Sequence, residues 1–186
     1  RAVQHADATN PDDAVSLTSA DLISLTATVT DKDGDSKAAT VDLGKAISFK
    51  DDGPSITAGT AAAGALTVDE TTLGTNAVVN MSGLFSGVSY GADAAGTTVY
   101  TLGTKAGATG LTDTASGEAV VLSVNAGVVE GKTASGALVF TVSVNATGTV
   151  TLDQLRAVRH ADATNPDDAI SLTSADLISL TATVTD

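Results

Sequence analysis

The chain nearly repeats itself. Residues 1–31 read RAVQHADATNPDDAVSLTSADLISLTATVTD, and residues 156–186 read RAVRHADATNPDDAISLTSADLISLTATVTD. Two positions differ, Gln4 against Arg159 and Val15 against Ile170, and the offset from Arg1 to Arg156 is 155 residues. A period of that length is a whole domain, too long for a solenoid unit, so the expected parent is an array of beads.

The boundary between beads should fall where turn formers and acids interrupt strand-like sequence. Lys50-Asp51-Asp52-Gly53-Pro54-Ser55 is the sharpest such point. Pro54 fixes its own φ and pushes Gly53 away from the helical region. Residues 51–54 are therefore expected to be an acidic linker. Residues 1–50 then form the C-terminal part of one repeat, and residues 55–186 the following repeat without its last segment.

The apolar residues available suit sheets. Hydrophobic residues make up 42% of the chain but aromatics only 3%, so a core must come from many thin apolar strips. Strands are expected over residues 22–30, 38–43, 46–49, 65–68, 77–81, 97–102, 119–125, 138–144 and 149–152, with glycine-rich joints between them. Residues 152–159 allow either one helical turn, with Leu155 and Val158 on one face, or an irregular crossover. Short strands at this spacing predict an all-β fold, an immunoglobulin-like β-sandwich.

Charge narrows the partners. Nine basic residues against 22 acidic ones give a net charge of −13, which repels phosphate backbones and anionic membrane surfaces. Nucleic acid and direct membrane insertion are excluded on these grounds, and no apolar run is long enough to span a bilayer. With no cysteine, a secreted domain needs another staple, and a metal ion is the obvious substitute.

The acids cluster in ways that fit a hard cation. In Asp31-Lys32-Asp33-Gly34-Asp35-Ser36, three carboxylates at i, i+2 and i+4 can converge when the chain turns tightly. Calcium takes six to eight oxygens at about 2.3–2.6 Å, so carbonyls and water would complete the shell. Asp42 lies at the offset where a helical calcium loop places its closing acid, but glycine sits at the fourth position and strands flank the segment. The motif reads as a calcium loop on a β-hairpin, with a plain Asp-Gly hairpin turn as the alternative.

Asp51 and Asp52 on the linker, with Asp69 and Glu70 after the first strand of the next bead, form a second set. Adjacent acids repel, so one ion clamping both beads is the expected role. Asp7, Asp12 and Asp13, repeated as Asp162, Asp167 and Asp168, are weaker candidates, since Asn-Pro-Asp-Asp is equally a turn sequence. Asp93 is a lone weak candidate.

Taken in order, these motifs resemble a known pattern. Leu66-Thr67-Val68-Asp69-Glu70, Tyr90-Gly91-Ala92-Asp93, Gly127-Val128-Val129-Glu130-Gly131 and Thr149-Val150-Thr151-Leu152 are followed by the segment from His160 to Asp168. With Asp31-Lys32-Asp33-Gly34-Asp35 and Phe49-Lys50-Asp51-Asp52-Gly53-Pro54, the set resembles the long extender repeats of RTX adhesins exported by type I secretion. The resemblance covers essentially the whole chain, allowing for the phase shift. It implies a calcium-binding β-sandwich module on the surface of a Gram-negative bacterium, projecting a distal ligand-binding region for attachment and biofilm formation. It carries calcium binding over to Asp31, Asp33, Asp35, Asp51, Asp52, Asp69 and Glu70. The expected partners are neighbouring repeats of the same protein, with strand complementation between chains as one mode.

Two other function classes are weaker. An enzyme would need a nucleophile beside His5 or His160, and no nucleophile-bearing elbow appears near either. Paired carboxylates suggest a glycosidase, yet no tryptophan is present to line sugar subsites. A carbohydrate- or protein-binding module of the same adhesin is the alternative function, disfavoured by three Phe, two Tyr and no Trp for stacking.

Overall fold

The computed structural model describes residues 3–7, 10, 12–92, 96–162, 164–165 and 167–185. The described chain is all-β: thirteen strands paired in antiparallel sheets, with only three single-turn 3-10 segments of helix. It divides into two compact units. Residues 1–55 and 89–96 form the first, and residues 56–88 and 97–185 the second.

The first unit is built from two antiparallel pairs. Strand β1 (Ala14–Ser16) faces the strand we number β4, Ser48–Lys50, with Val15 opposite Phe49. The Asp51 N–H donates to the Asp13 carbonyl at 2.9 Å and extends this pairing. Between them, β2 (Ser24–Thr30) and β3 (Ser36–Asp42) make a regular seven-residue hairpin, from Ser24 opposite Asp42 to Thr30 opposite Ser36. Alternating Thr and apolar residues suit such a pleat. Yet every residue of this hairpin is exposed, with Leu25 at 60% and Val29 at 73%.

The second unit carries the core. Strands β5 (Ser55–Ala58), β6 (Ala77–Asn80), β7 (Phe85–Ser89), β8 (Thr97–Thr104), β9 (Val120–Asn125), β10 (Val128–Thr133), β11 (Leu138–Val144), β12 (Thr149–Gln154) and β13 (Ile178–Thr185) compose it. A five-stranded sheet runs β6-β12-β11-β10-β9, in which β9 to β12 form a consecutive meander. Two of the three turns of the meander show a local cause. Ala126 and Gly127 both take left-handed φ, the two-residue turn whose twist matches a hairpin. At the β11–β12 turn, the Asn145 side-chain oxygen accepts from the N–H groups of Thr147 and Thr149.

Strand β8 pairs with β13, from Thr97 opposite Thr185 to Thr104 opposite Ile178. Leu102, Ile178 and Leu180 from this pair join the apolar cluster of the five-stranded sheet. Val120, Val129, Val139 and Val150 lie at its centre, each 2% exposed or less. The unit therefore has the two-layered character of a β-sandwich, its core centred on valines with Phe140 as its one buried aromatic among the described residues.

The structure corrects parts of the sequence reading. Residues 65–68 are not a strand: Ala65 and Leu66 pack on the core from a turn that leads into a 3-10 segment at Glu70–Thr72. A four-residue apolar run looks the same in a strand and in a core-facing loop. Residues 152–159 form the irregular crossover and not a helical turn, since β12 continues to Gln154 and the N–H groups of Leu155 and Arg156 both donate to the Val139 carbonyl. The run 46–49 is split by a 3-10 turn at Gly44–Ala46. Strands β1, β5, β7 and β10 lie outside the expected runs, and β13 is foreshadowed only by its repeat counterpart at residues 22–30; β10 hides its identity behind Glu130, Gly131 and Lys132.

Candidate metal centre

The tip of the β2–β3 hairpin gathers three carboxylates. The Asp31 N–H donates to the Asp35 carbonyl at 2.9 Å and closes the base of the loop. Gly34 turns the chain at φ +105°, in the left-handed half of the map that favours glycine. Asp31 then folds its side chain inward, and its Oδ1 accepts from the N–H of Gly34 at 3.1 Å and of Asp35 at 2.9 Å. The result is that ligand atoms of Asp31, Asp33 and Asp35 lie within 4.8 Å of one another, all exposed.

The electrostatics of this tip favour a cation. A hydrogen bond shared with the Asp33 carboxyl, followed by backbone N–H donors from residues 33–35, holds Asp31 below the usual carboxylate range. Carboxylates this close repel one another in their charged forms. A divalent ion held among these three carboxylates would turn that repulsion into coordination, and their oxygens suit a hard cation.

Asp42 is not part of this group. It lies opposite Ser24, at the far end of β3 from Asp35, where its Oδ1 accepts from the N–H groups of Asp21 and Gly44. Seven residues of strand span about 23 Å, so it cannot close the Asp31 loop. The offset counted for Asp42 belongs to a helical loop, and an extended strand carries the same residue away.

Asp51, Asp69 and Glu70 have local partners. Asp51 sits 3.9 Å from His5 Nε2, and Asp52 presents its backbone carbonyl to Gly91 so closely that an added Cβ would meet it at 2.5 Å. In the second unit, Asp69 caps a 3-10 turn, and hydrogen bonds from the Thr71 side chain and then the Thr71 N–H lower its pKa. Glu70 Oε1 accepts from Gln154 Nε2 at 2.9 Å and the Val158 N–H at 2.6 Å, with His160 Nε2 at 3.5 Å.

The described residues around the two Asn-Pro-Asp-Asp segments make matching hydrogen bonds. Asp13 Oδ2 accepts from the N–H groups of Ala6 and Asp7, and Asp168 Oδ2 from those of Ala161 and Asp162. Asn10 and Asn165 accept from the N–H groups of Asp12 and Asp167. Asp162 also accepts from the Thr164 hydroxyl and N–H, which lowers its pKa. These are turn-forming roles. Asp93 lies outside the described residues.

Sequence reasoning missed one charged group altogether. Asp113 is fully buried and gripped by Arg156, 43 positions away, with Ser116 donating from both its N–H and its hydroxyl. No local pattern links residues so far apart. The Asp-x-x-Ser-Gly turn at residues 113–117 was the one visible hint.

A family described as Domain of unknown function (DUF5801) matches residues 1–44 and 65–186 of the chain. No curated protein and no solved structure matches it.

Proposed function

We propose that this chain, which belongs to the DUF5801 family, is a calcium-stiffened extender segment of a secreted bacterial adhesin. The observation that carries the proposal is the hairpin tip, where Asp31, Asp33 and Asp35 offer oxygens within 4.8 Å of one another. Three further features support it. The 155-residue near-identical repeat suits a spacer, whose reach grows with copy number. The acidic chain without cysteine has no disulfide staple, so a metal ion is a fitting substitute. The ordered motifs resemble RTX adhesin extenders, which are exported by type I secretion to the surface of Gram-negative bacteria and support biofilm formation.

In this reading, cytoplasm poor in free calcium leaves the hairpin tips repelling and the chain loose for export. Calcium outside the cell then binds each tip and adds its binding free energy to folding. The array becomes a rod that holds a distal binding region away from the cell.

Calorimetric titration tests the tip directly. Calcium should bind with a dissociation constant of about 10⁻⁴–10⁻³ M, as extracellular modules do. The Asp31→Asn, Asp33→Asn, Asp35→Asn triple variant should lose that binding. If amide NMR signals of residues 31–36 stay fixed as calcium is raised to millimolar levels, the proposal fails.

A further inference from the structure

One heptapeptide occurs in two different sheets. Ser24-Leu25-Thr26-Ala27-Thr28-Val29-Thr30 forms β2, and Ser179-Leu180-Thr181-Ala182-Thr183-Val184-Thr185 is the same sequence in β13. Among the described residues, β2 pairs only with β3 and β13 only with β8. The two pairings use opposite edges of the strand.

The hydrogen bonds fix which edge is which. The Leu43 N–H donates to the Ile23 carbonyl at 2.8 Å, and the Asp31 N–H to the Asp35 carbonyl at 2.9 Å. In an antiparallel ladder, hydrogen-bonded and non-hydrogen-bonded pairs alternate. With the register of this hairpin, Ile23, Leu25, Ala27 and Val29 point their backbone groups at β3. On the other strand, the Lys105 N–H donates to the Leu177 carbonyl at 3.1 Å. Leu177 corresponds to Leu22, so Ser179, Thr181, Thr183 and Thr185 point at β8. Ile178, Leu180, Ala182 and Val184 then point away from β8, and they are the counterparts of the residues that bind β3.

The side chains agree with the backbone. In β13, Leu180 and Val184 are half-buried and Leu180 packs on the core; in β2, the matching Leu25 and Val29 are 60% and 73% exposed. The β2 face is therefore the one that a β8-type strand and its core cover.

We propose that two copies of the repeat join in a three-stranded sheet of order β8, β13, β3. The free edge of β13 receives a β3-type strand, Ser-Lys-Ala-Ala-Thr-Val-Asp, in the register seen between β2 and β3. Equally, the free edge of β2 receives a β8-type strand from a second copy. The partner of each open edge is another copy of this sequence, which deepens the tandem-array part of the proposed function and does not depend on calcium.

The test extends the full chain after Asp186 by a copy of residues 32–50 and follows amide exchange by NMR, in calcium and in EGTA. The amides of Leu180, Ala182 and Val184 should slow by at least about 100-fold relative to the unextended chain. Those of Ser179, Thr181 and Thr183 should keep their protection, because β8 stays in place. A gain in either buffer upholds the inference even if the metal site fails. No gain in both buffers overturns it. So does lost protection at Ser179, Thr181 and Thr183, or at the core amides of Val129 and Val139, because the added strand would then compete with the sheet.

Discussion

Arg156 clamps Asp113 through two parallel hydrogen bonds, Nε to Oδ1 and Nη2 to Oδ2, each 2.9 Å long. The fork of the guanidinium matches the carboxylate, and the Ser116 hydroxyl donates to Oδ2 from the other side. Asp113 is fully buried, and these partners hold its carboxyl far below the usual carboxylate range. The pair ties the turn at residues 113–117 to the crossover that follows β12.

Asp113→Asn should therefore lower the melting temperature, because it leaves Arg156 partly unpaired against a desolvated neighbour. The exposed pair Lys105–Asp176 provides the comparison, since both its side chains are more than half exposed. Asp176→Asn should change the melting temperature little. Thermal denaturation of both variants followed by circular dichroism checks the ranking, and equal losses would contradict it.

Acid should unfold the protein in a defined window. Asp31, Asp69, Asp113, Glu118, Glu130, Asp162 and Asp176 all have lowered pKa values in the folded state. A carboxylate with a depressed folded pKa contributes stability above its unfolded pKa and loses it as pH falls through the folded one. Stability should be level from pH 7 to about pH 5 and fall progressively below about pH 4. Urea denaturation at stepped pH reads this directly, and a decline beginning above pH 5 would count against the assignment.

Gly131 and Phe140 face each other across β10 and β11. A Cβ on Gly131 would lie 2.3 Å from the Phe140 ring, which fills the space the glycine leaves. Gly131→Ala should cost about 1–3 kcal/mol through overpacking. Phe140→Ala, which empties the same place, should cost about 3–5 kcal/mol. Urea denaturation midpoints measure both.

Gly34→Ala tests the tip loop. The φ of +105° is strained for any residue with a Cβ, at a cost of about 1–3 kcal/mol, although no atom lies within 4 Å to clash with it. The loop should reopen, so calcium affinity should fall while the core melts as before. Calorimetric titration beside a thermal scan separates the two effects.

How far the sequence could be read depends on the range of each interaction. The β2–β3 hairpin was legible because Asp31-Lys32-Asp33-Gly34-Asp35 puts acids and a turn glycine between two alternating runs. Its three acids do come together, since a tight loop brings i, i+2 and i+4 within reach. Asp42 was misplaced because its position depends on whether the flanking chain is helix or strand. Strand β10 was missed because Gly131 takes its apolar character from Phe140, a residue across the sheet. The two fates of Ser-Leu-Thr-Ala-Thr-Val-Thr were invisible for a deeper reason. Identical residues carry identical propensities, and only the strand available on each edge separates β2 from β13.

Calcium dependence of folding is the most direct test of the whole account. Differential scanning calorimetry of the chain in millimolar calcium and in EGTA compares the two states at equal ionic strength. Calcium at ten times its dissociation constant stabilises a single site by roughly 1.4 kcal/mol. The account predicts a melting temperature several degrees higher in calcium, and no difference for the Asp31→Asn, Asp33→Asn, Asp35→Asn variant. Coincident transitions of the unaltered chain in calcium and EGTA would contradict it.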